Sequence, residues 1–251
     1  MERRDCVITE NRELADGVFS VSFEAGEAAL SARPGMFVHI KCGDSRILRR
    51  PISIADARGG EMTVVFEVKG DGTRWLSRRA RGGSLDVLGP LGNGFGRMGG
   101  RVLAVGGGMG APPLLFAART ADARVTAVLG FRDGGRIILE DEFRACCDEV
   151  YVTTDDGSAG ERGTVEAPLG ALLARGGYDL IISCGPRPML TAVARLAASF
   201  RVPCRVSLEE RMGCGVGACL VCACETARGG AQQMSRVCRD GPVFDAGEVA
   251  W

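Results

Sequence analysis

The chain has 251 residues, of which 46% are hydrophobic and 25% charged, and its 31 basic and 31 acidic side chains leave no formal net charge at pH 7. This balance is typical of a globular protein with one large or two modest domains, and it argues against nucleic acid or an anionic membrane as a partner. No stretch has the length and apolarity of a transmembrane helix, and the polar start predicts no signal peptide, so we expect a cytoplasmic location. Eleven cysteines in such a chain favour reduced thiols and metal ligation over disulfides.

Residues 6 to 91 predict short antiparallel strands. Apolar and polar residues alternate in the segments Val18-Phe-Ser-Val-Ser-Phe, Met36-Phe-Val-His-Ile-Lys and Met62-Thr-Val-Val-Phe-Glu-Val. Gly, Asp and Pro separate these segments, which favours a small antiparallel barrel. One helix is expected inside this region, from about Gly72 to about residue 80. His39 lies in an alternating segment, and we expect it to be a half-buried strand residue and not a ligand.

Two motifs of this region fit a phosphate-bearing ligand. In the first, Arg50 would pair with a diphosphate oxygen, Pro51 and Ile52 would lie against a flat heterocycle, and Ser53 would offer a hydroxyl or a backbone N–H. Taken alone, the motif is more simply a strand edge protected from aggregation by charge and proline. The second motif, Gly70-Asp-Gly-Thr, opens the expected helix with Thr73 as N-cap, and it is either an anion site or an ordinary turn. Together, the two motifs favour a flavin with a diphosphate.

A change of composition over residues 89 to 100 predicts a domain boundary, and strands and helices alternate after it. Strands are expected to begin at Arg101, Val125, Val150, Tyr178 and Cys204. Helices are expected from the glycine loop to about residue 120 and over residues 140–147, 165–174 and 186–200. This alternation predicts a doubly wound parallel sheet, which the strand from Cys204 would close.

Two turns of this second region fit a dinucleotide. The first strand ends in a glycine loop that contains Gly106, Gly107, Gly108 and Gly110, whose backbone N–H groups would meet a diphosphate. The alternative is close helix–strand packing. A later strand ends in Cys184, Gly185 and Pro186, where the thiol would lie beside a nicotinamide ring. Taken alone, Cys184 is more simply a buried core residue. Residues 153–158 follow another strand and would touch the far end of the dinucleotide.

Four cysteines near the C-terminus carry the most specific pattern of the chain. Cys214, Cys219 and Cys222 follow the spacing Cys-x4-Cys-x2-Cys, and Cys238 follows at a distance, as in plant-type [2Fe–2S] proteins. Intervening glycines at 213, 215 and 217 let the backbone curl and point N–H groups at the sulfurs. A zinc knot and a disulfide pair are the alternatives, but only one Cys-x2-Cys unit is present. Spacing alone does not exclude Cys224 as a ligand.

These motifs together resemble the ferredoxin–NADP reductase superfamily and, within it, the electron-transfer subunits of dihydroorotate dehydrogenase B. The likeness extends over nearly the whole chain, including residues 154–158, 207–219 and 240–246. It implies an N-terminal antiparallel FAD-binding barrel over residues 1–98, a doubly wound NAD-binding α/β domain over 99–206 and a C-terminal [2Fe–2S] segment over 207–251.

The resemblance also implies site residues. FAD is expected at Arg50, Pro51, Ile52, Ser53, Val65, Phe66, Glu67, Gly72 and Thr73. NAD is expected at Gly106, Gly107, Gly108, Gly110, Cys184, Gly185 and Pro186, and the cluster at Cys214, Cys219, Cys222 and Cys238. One departure is visible, because Glu67 stands near a position where this family is expected to carry a basic residue.

The implied function is electron transfer in pyrimidine biosynthesis. Electrons from dihydroorotate would leave the FMN of a separate catalytic subunit and pass through the cluster and FAD to NAD+, within a heterotetramer of two subunits of each kind. A flavin is needed because nicotinamide exchanges two electrons together and an iron–sulfur cluster one at a time. Two alternatives remain: a reductase subunit of a bifurcating transhydrogenase or sulfhydrogenase, and a non-enzymatic protein with zinc in the cysteine loop. The preference between NAD and NADP stays open.

Overall fold

The computed structural model describes residues 2–44, 47–228 and 231–251. None of the helices in these ranges combines the length and the apolarity that crossing a membrane requires. The strands are β1 (Glu2–Ala15), β2 (Val18–Glu24), β3 (Phe37–Ile40), β4 (Arg50–Arg58), β5 (Glu61–Glu67), β6 (Ser84–Leu91), β7 (Gly99–Gly107), β8 (Asp122–Phe131), β9 (Glu149–Thr154), β10 (Glu161–Arg162), β11 (Leu180–Cys184), β12 (Cys204–Ser207), β13 (Ala223–Arg228), β14 (Ala231–Arg236) and β15 (Val243–Asp245). The helices are α1 (Glu27–Ser31), α2 (Asp71–Ser77), α3 (Ala111–Thr120), α4 (Glu140–Arg144), α5 (Glu166–Arg175) and α6 (Arg187–Phe200).

The first six strands form a closed antiparallel barrel in the order β1-β2-β5-β4-β3-β6. Alternating strands close in this way because every second side chain can then fill the interior, and closure leaves no free sheet edge. Val38, Ile40, Ile54 and Val64 belong to the apolar cluster that fills the barrel. The predicted barrel is confirmed, whereas the expectation of one helix is wrong, since the short helix α1 precedes α2.

The second region is a seven-stranded sheet in the order β10-β9-β8-β7-β11-β12-β15. Its first six strands are parallel, as the strand–helix alternation predicts. The expectation that the strand at Cys204 closes the series is wrong, because β15 pairs antiparallel with β12 and takes the edge. The end of the cysteine segment thus returns to the sheet from which it departs.

The cysteine segment packs against the rest of the molecule through an apolar cluster. Cys222 and Cys238 share this cluster with Leu103 and Val105 of β7 and with Phe37 of the barrel. The hairpin β13–β14 lies between these two cysteines in the chain and pairs from Ala223↔Arg236 to Arg228↔Ala231. The cysteines are therefore held by both the barrel and the sheet.

Strand β3 is buried on both faces. Val38 and Ile40 point into the barrel, while Phe37 and His39 lie on its outer side, where Phe37 packs with the cysteine segment. His39 is completely buried, so the expectation of a half-buried histidine is wrong. The alternation of this segment is typical of a strand with one solvent-exposed face. In the structure, the C-terminal cysteine segment covers that face.

Candidate functional site

The loop from Cys214 to Cys219 is wound around two sulfur atoms. The N–H groups of Val216 and Ala218 donate to Sγ of Cys214 at 3.4 and 3.2 Å, and the N–H of Cys214 donates to Sγ of Cys219 at 3.4 Å. Gly215 and Gly217 adopt φ values of 73° and 84°, which favour glycine. The loop therefore presents backbone donors to the sulfurs, as a thiolate-ligated cluster needs.

Cys238 reaches the same place from the far side of the hairpin. Its N–H donates to Sγ of Cys222 at 3.4 Å, and both cysteines are buried. The following turn is fixed by Asp240, whose carboxylate accepts hydrogen bonds from the backbone N–H, Nε and Nη2 of Arg236 at 2.8, 3.0 and 3.1 Å. Arg236 also donates to the carbonyl of Gly217 at 3.3 Å. One ion pair thus ties the turn that carries the fourth cysteine to the loop that carries the first two.

The thiols of Cys214 and Cys238 differ in acidity. Burial opposes ionisation of Cys214, but hydrogen bonds from the N–H groups of Val216 and Cys219 outweigh it and lower the pKa of Cys214 to about 6. Burial, followed by the hydrogen bond and charge of Cys222, raises the pKa of Cys238 to about 12. The loop donors thus favour the thiolate of Cys214, whereas ligation through Cys238 requires the loss of its proton.

The donor set consists of thiols, and the sulfurs of Cys214 and Cys222 accept backbone N–H hydrogen bonds, as those of iron–sulfur clusters do. Within the described ranges, no three His, Cys, Asp or Glu side chains stand as a ready-made metal site. The observation that disfavours zinc is the single Cys-x2-Cys unit of the sequence.

Cys224 lies on β13, two residues beyond Cys222, and pairs with Ser235 of β14. It is buried, and burial is the main cause that raises the pKa of its thiol. In the part of the chain that the structure describes, no hydrogen bond joins its thiol to the four cysteines predicted to ligate the cluster. Burial raises the pKa of Cys238 as well, so acidity does not separate the two cysteines. Their positions do, because Cys224 lies inside the β13–β14 ladder, whereas Cys238 follows it.

His39 faces the cysteine loop from the barrel wall. An ideal Cβ on Gly215 would lie 2.7, 2.8 and 3.1 Å from Cε1, Nδ1 and Nε2 of His39, so the ring edge with both nitrogens points at this loop. Neither nitrogen has a hydrogen-bond partner among the described residues. Burial, with the charge of Arg49 second, lowers the pKa of His39 to about 4, so the ring is neutral at pH 7. A buried polar group left unpaired costs about 1–3 kcal/mol.

The two motifs predicted to bind the flavin diphosphate, around Arg50 and around Gly72, lie next to each other. The guanidinium of Arg50 lies over Gly72, where an added Cβ would stand 2.8 Å from Cζ and 2.9 Å from Nη2. The expectation of Thr73 as N-cap is wrong, because Gly70 is the N-cap and Thr73 is the third residue of α2. The hydroxyl oxygen of Thr73 instead reaches back and accepts from the N–H groups of Lys69 and Gly70 at 3.0 and 3.2 Å. The cationic side chain and the start of this helix therefore converge, as an anion site between them requires.

Strands β4 and β5 diverge beside this point. Their ladder ends at Ile54↔Val64, so residues 50–53 pair with β3 alone and residues 65–67 with β2 alone. The side chains of Val65 and Phe66 are buried in apolar clusters, so contacts to a ligand in the gap would come from those backbone groups of β5 that do not pair with β2. The gap is flanked on both sides by residues predicted to contact FAD, and β5 would contribute backbone groups.

Glu67 is paired across the two regions. Its carboxylate accepts from Nη1 of Arg136 at 3.3 Å and lies 3.3 Å from Nζ of Lys69. Arg136 belongs to a 3-10 turn after β8 and also donates to the carbonyl of Asp16 at 3.3 Å. The fold thus brings a basic side chain to the position where the sequence carries an unexpected acidic one.

The predicted NAD motifs also adjoin each other. Cys184 is opposite Gly106 in the pairing of β11 with β7, and a Cβ on Gly110 would stand 2.7 Å from the amide nitrogen of Gly185 and closer still to the carbonyl of Cys184. A Cβ on Gly106 would meet Leu114 at 3.0 Å, so this glycine serves helix–strand packing. Gly108 has φ of 50° with no atom within 4 Å of its Cβ position, which leaves open space for a ligand.

Cys184 is half-buried, and burial raises the pKa of its thiol to about 12, against a hydrogen bond to Ser207 that lowers it. Ser207 is opposite Cys184 in the sheet and ends β12, from which the chain runs to Cys214. The dinucleotide turn and the cysteine segment are therefore joined through one strand. Cys184 stays protonated, which suits packing against a ring and not nucleophilic chemistry.

Several of these relations lie beyond the sequence motifs. His39 and Arg136 are the residues that sequence reasoning missed as part of the site. The sequence did contain a signal for His39. Strand alternation places His39 on the same face as Phe37, and in the structure its strand pairs with the strand that begins at Arg50. No local pattern pointed to Arg136.

Comparison with known proteins agrees with the motifs and with the fold. Residues 209–250 match the family model described as the iron-sulfur cluster binding domain of dihydroorotate dehydrogenase B. The chain is 40% identical over 244 residues, 96% of each chain, to a protein of Caldanaerobacter subterraneus subsp. tengcongensis named dihydroorotate dehydrogenase B (NAD(+)), electron transfer subunit. It is 40% identical over 258 residues, 98% of each chain, to a protein of the same name from Bacillus caldolyticus.

A solved structure, described as that of a NADH-dependent reduced ferredoxin-NADP oxidoreductase in a study of flavin-based electron bifurcation, matches 98% of this chain and 90% of its own. Its TM-score is 0.88 at 34% sequence identity. These findings confirm the resemblance read from the motifs and the three-part fold. The chain belongs to the family of dihydroorotate dehydrogenase B (NAD+) electron transfer subunits.

Proposed function

We propose that this chain is the electron-transfer subunit of a NAD-dependent dihydroorotate dehydrogenase in pyrimidine biosynthesis. It passes electrons from the FMN of a catalytic subunit through a [2Fe–2S] cluster and FAD to NAD+. Its cofactors are FAD, an iron–sulfur cluster and NAD, and it acts as an oxidoreductase component. Alone, the chain is expected to be unable to form orotate with NAD+. We place it in the cytoplasm.

One observation carries this proposal: the predicted flavin and cluster sites share a wall of the barrel. Pro51 lies directly opposite His39 in the pairing of β4 with β3, so both side chains are on the outer face. His39 in turn faces Gly215, the neighbour of Cys214. Short separation between two redox groups in one chain is what a transfer role requires.

Different groups of residues would bind the flavin, the cluster and the dinucleotide. The flavin supplies the conversion between two-electron and one-electron transfer that the other two carriers need. Arg50 and the start of α2 would hold its diphosphate, and backbone groups of β5 would hold its ring from the gap beside β4. Cys214, Cys219, Cys222 and Cys238 would ligate the cluster. The turn at Gly108 and the Cys184–Pro186 turn would hold the dinucleotide and bring its ring against the half-buried thiol.

A catalytic partner follows from the family, since its members are named as subunits. Leu220 and Val221, between two predicted cluster ligands, are 62% and 58% exposed. Large apolar side chains beside a redox group fit a surface covered by another protein. We propose an FMN-containing dihydroorotate dehydrogenase subunit as that partner, in a heterotetramer with two copies of each chain.

The proposal is tested by anaerobic affinity purification of the tagged chain from its own cells. We expect a second subunit that carries FMN to co-elute and the eluate to reduce NAD+ when dihydroorotate is added. The control is the separated chain, which should oxidise NADH with ferricyanide but give no orotate. An eluate with flavin and iron but without dihydroorotate-dependent NADH formation would contradict the proposal.

The bifurcating oxidoreductase is the second candidate because of the TM-score of 0.88. In that case the co-eluting partner would couple ferredoxin to NADP(H), and dihydroorotate would have no effect. Measuring NADH formation with dihydroorotate against ferredoxin-dependent reduction of NADP+ in the same eluate separates the two functions.

A further inference from the structure

His39 is the only histidine of the chain and has no role in the proposed cofactor contacts. Its side chain is fully buried, and neither ring nitrogen finds a partner among the described residues. A buried imidazole with both nitrogens unpaired is rare, because burial removes the water that would otherwise satisfy them. Such a ring indicates that a group outside the polypeptide completes its hydrogen bonding.

The surroundings of the ring leave one direction for that group. On β3 it is flanked by Pro51 of β4 and Leu88 of β6, whose side chains are apolar. Phe37 lies edge-on with ring centroids 5.7 Å apart. The edge with both nitrogens faces Gly215, whose own lack of a side chain allows the approach.

Gly215 lies in the loop whose backbone N–H groups point toward the cysteine sulfurs. The N–H groups of the loop already point at Cys214 and Cys219. A neutral imidazole carries one N–H donor and one acceptor nitrogen. The imidazole packs against this loop at the residue that follows Cys214, so its donor is held next to the segment that carries the first two sulfurs.

We propose that His39 is a positioning residue whose imidazole N–H donates a hydrogen bond to a sulfur of the [2Fe–2S] cluster. This inference rests on the proposed function, since it requires the cluster. A donor to sulfur stabilises the reduced, more negative state, so His39 raises the reduction potential of the cluster. Because the same ring adjoins Pro51, its position couples the cluster loop to the wall that would carry the flavin.

Replacing the ring tests the inference in the full chain loaded with FAD and cluster. His39→Phe keeps an aromatic side chain and removes the donor, while His39→Asn and His39→Gln place an amide N–H near Nδ1 and Nε2 respectively. At a potential near the wild-type midpoint, we expect His39→Phe to lower the ratio of reduced to oxidised cluster about tenfold, or 59 mV for one electron. One of the two amide variants should restore most of that ratio.

The readout is the reduced-cluster signal in electron paramagnetic resonance during a redox titration, with iron and flavin content measured on each sample. An unchanged midpoint in His39→Phe would overturn the inference. A shift that neither amide variant reverses would also overturn it, since packing alone would then be the cause.

A second measurement needs no substitution. Because the chain has one histidine, growth on histidine that carries ¹⁵N only in its ring, with a tag free of histidine, labels this ring alone. Pulsed electron paramagnetic resonance of the reduced cluster should show nitrogen couplings that change between ¹⁴N and ¹⁵N samples. Identical spectra would refute the role of His39 and leave the proposed function intact, whereas the absence of any reduced-cluster signal would refute both.

Discussion

Replacing Gly72 by alanine should weaken FAD binding without weakening the fold. The added Cβ would lie 2.8 Å from Cζ and 2.9 Å from Nη2 of Arg50, well inside contact distance. The obstacle is the end of a flexible side chain, so the guanidinium moves and the backbone does not. Gly72 lies inside α2, where alanine is the better helix former by about 1 kcal/mol, so the flavin-free chain should keep or gain stability.

The size of the effect follows from what Arg50 would lose. A hydrogen bond to a charged group is worth about 1.5–3 kcal/mol. The loss of one such bond to the diphosphate raises the dissociation constant of FAD about ten- to a hundredfold. Titration of flavin-free protein with FAD, followed by the quenching of flavin fluorescence, measures this constant, and thermal unfolding of the same sample measures stability.

Gly70→Ala is the matched control. Gly70 lies two residues earlier in the same motif, has extended backbone geometry, and no atom comes within 4 Å of its Cβ position. It should bind FAD as the parent does. The double variant Arg50→Ala/Gly72→Ala should bind no more weakly than Arg50→Ala alone, because both changes remove the same contact. If Gly72→Ala binds FAD as tightly as Gly70→Ala, the assignment of Arg50 to the diphosphate is wrong.

Three further predictions concern the other parts of the molecule. Cys219→Ala should abolish the iron–sulfur absorbance and leave FAD bound, whereas Cys224→Ala should keep both; loss of the cluster in the second variant would reassign the ligands. Burial opposes ionisation of Asp86, but hydrogen bonds from Arg49 and then Arg3 lower its pKa. Asp86→Asn should therefore cost about 1–2 kcal/mol of unfolding free energy above about pH 4, and this difference should vanish as the pH falls through the lowered pKa of the folded state. Urea titrations over a series of falling pH values check that sign, and a cost that does not shrink as the pH falls below about 4 would contradict it. Gly110→Ala meets the opposing backbone and not a mobile side chain, so we expect about 1–3 kcal/mol of destabilisation and a raised KM for NADH in ferricyanide reduction; a normal KM would remove this turn from the dinucleotide site.

Contiguous motifs could be read from the sequence because their function is local. The spacing of Cys214, Cys219 and Cys222 specifies three ligands in one tight loop, whatever the rest of the fold does. The alternation of the first ninety residues and the strand–helix alternation after them likewise fixed the class of each region, since the period of apolar residues decides whether a segment is a strand or a helix. The assignment of individual residues to FAD, NAD and the cluster stays a prediction, as do the domain boundaries.

The contacts between distant segments were decided by the tertiary structure alone. The period of β3 assigns His39 to the outer face but does not say that the cysteine segment covers that face, and the expectation of half-burial failed for this reason. Arg50 meets Gly72, and Arg136 meets Glu67, only because barrel closure and strand register bring those segments together. The sequence by itself determined which chemical groups this protein carries, since ligand spacing and strand period are encoded locally. Which of those groups face one another was settled by packing, because long-range pairing depends on the burial of the whole chain and not on any one segment.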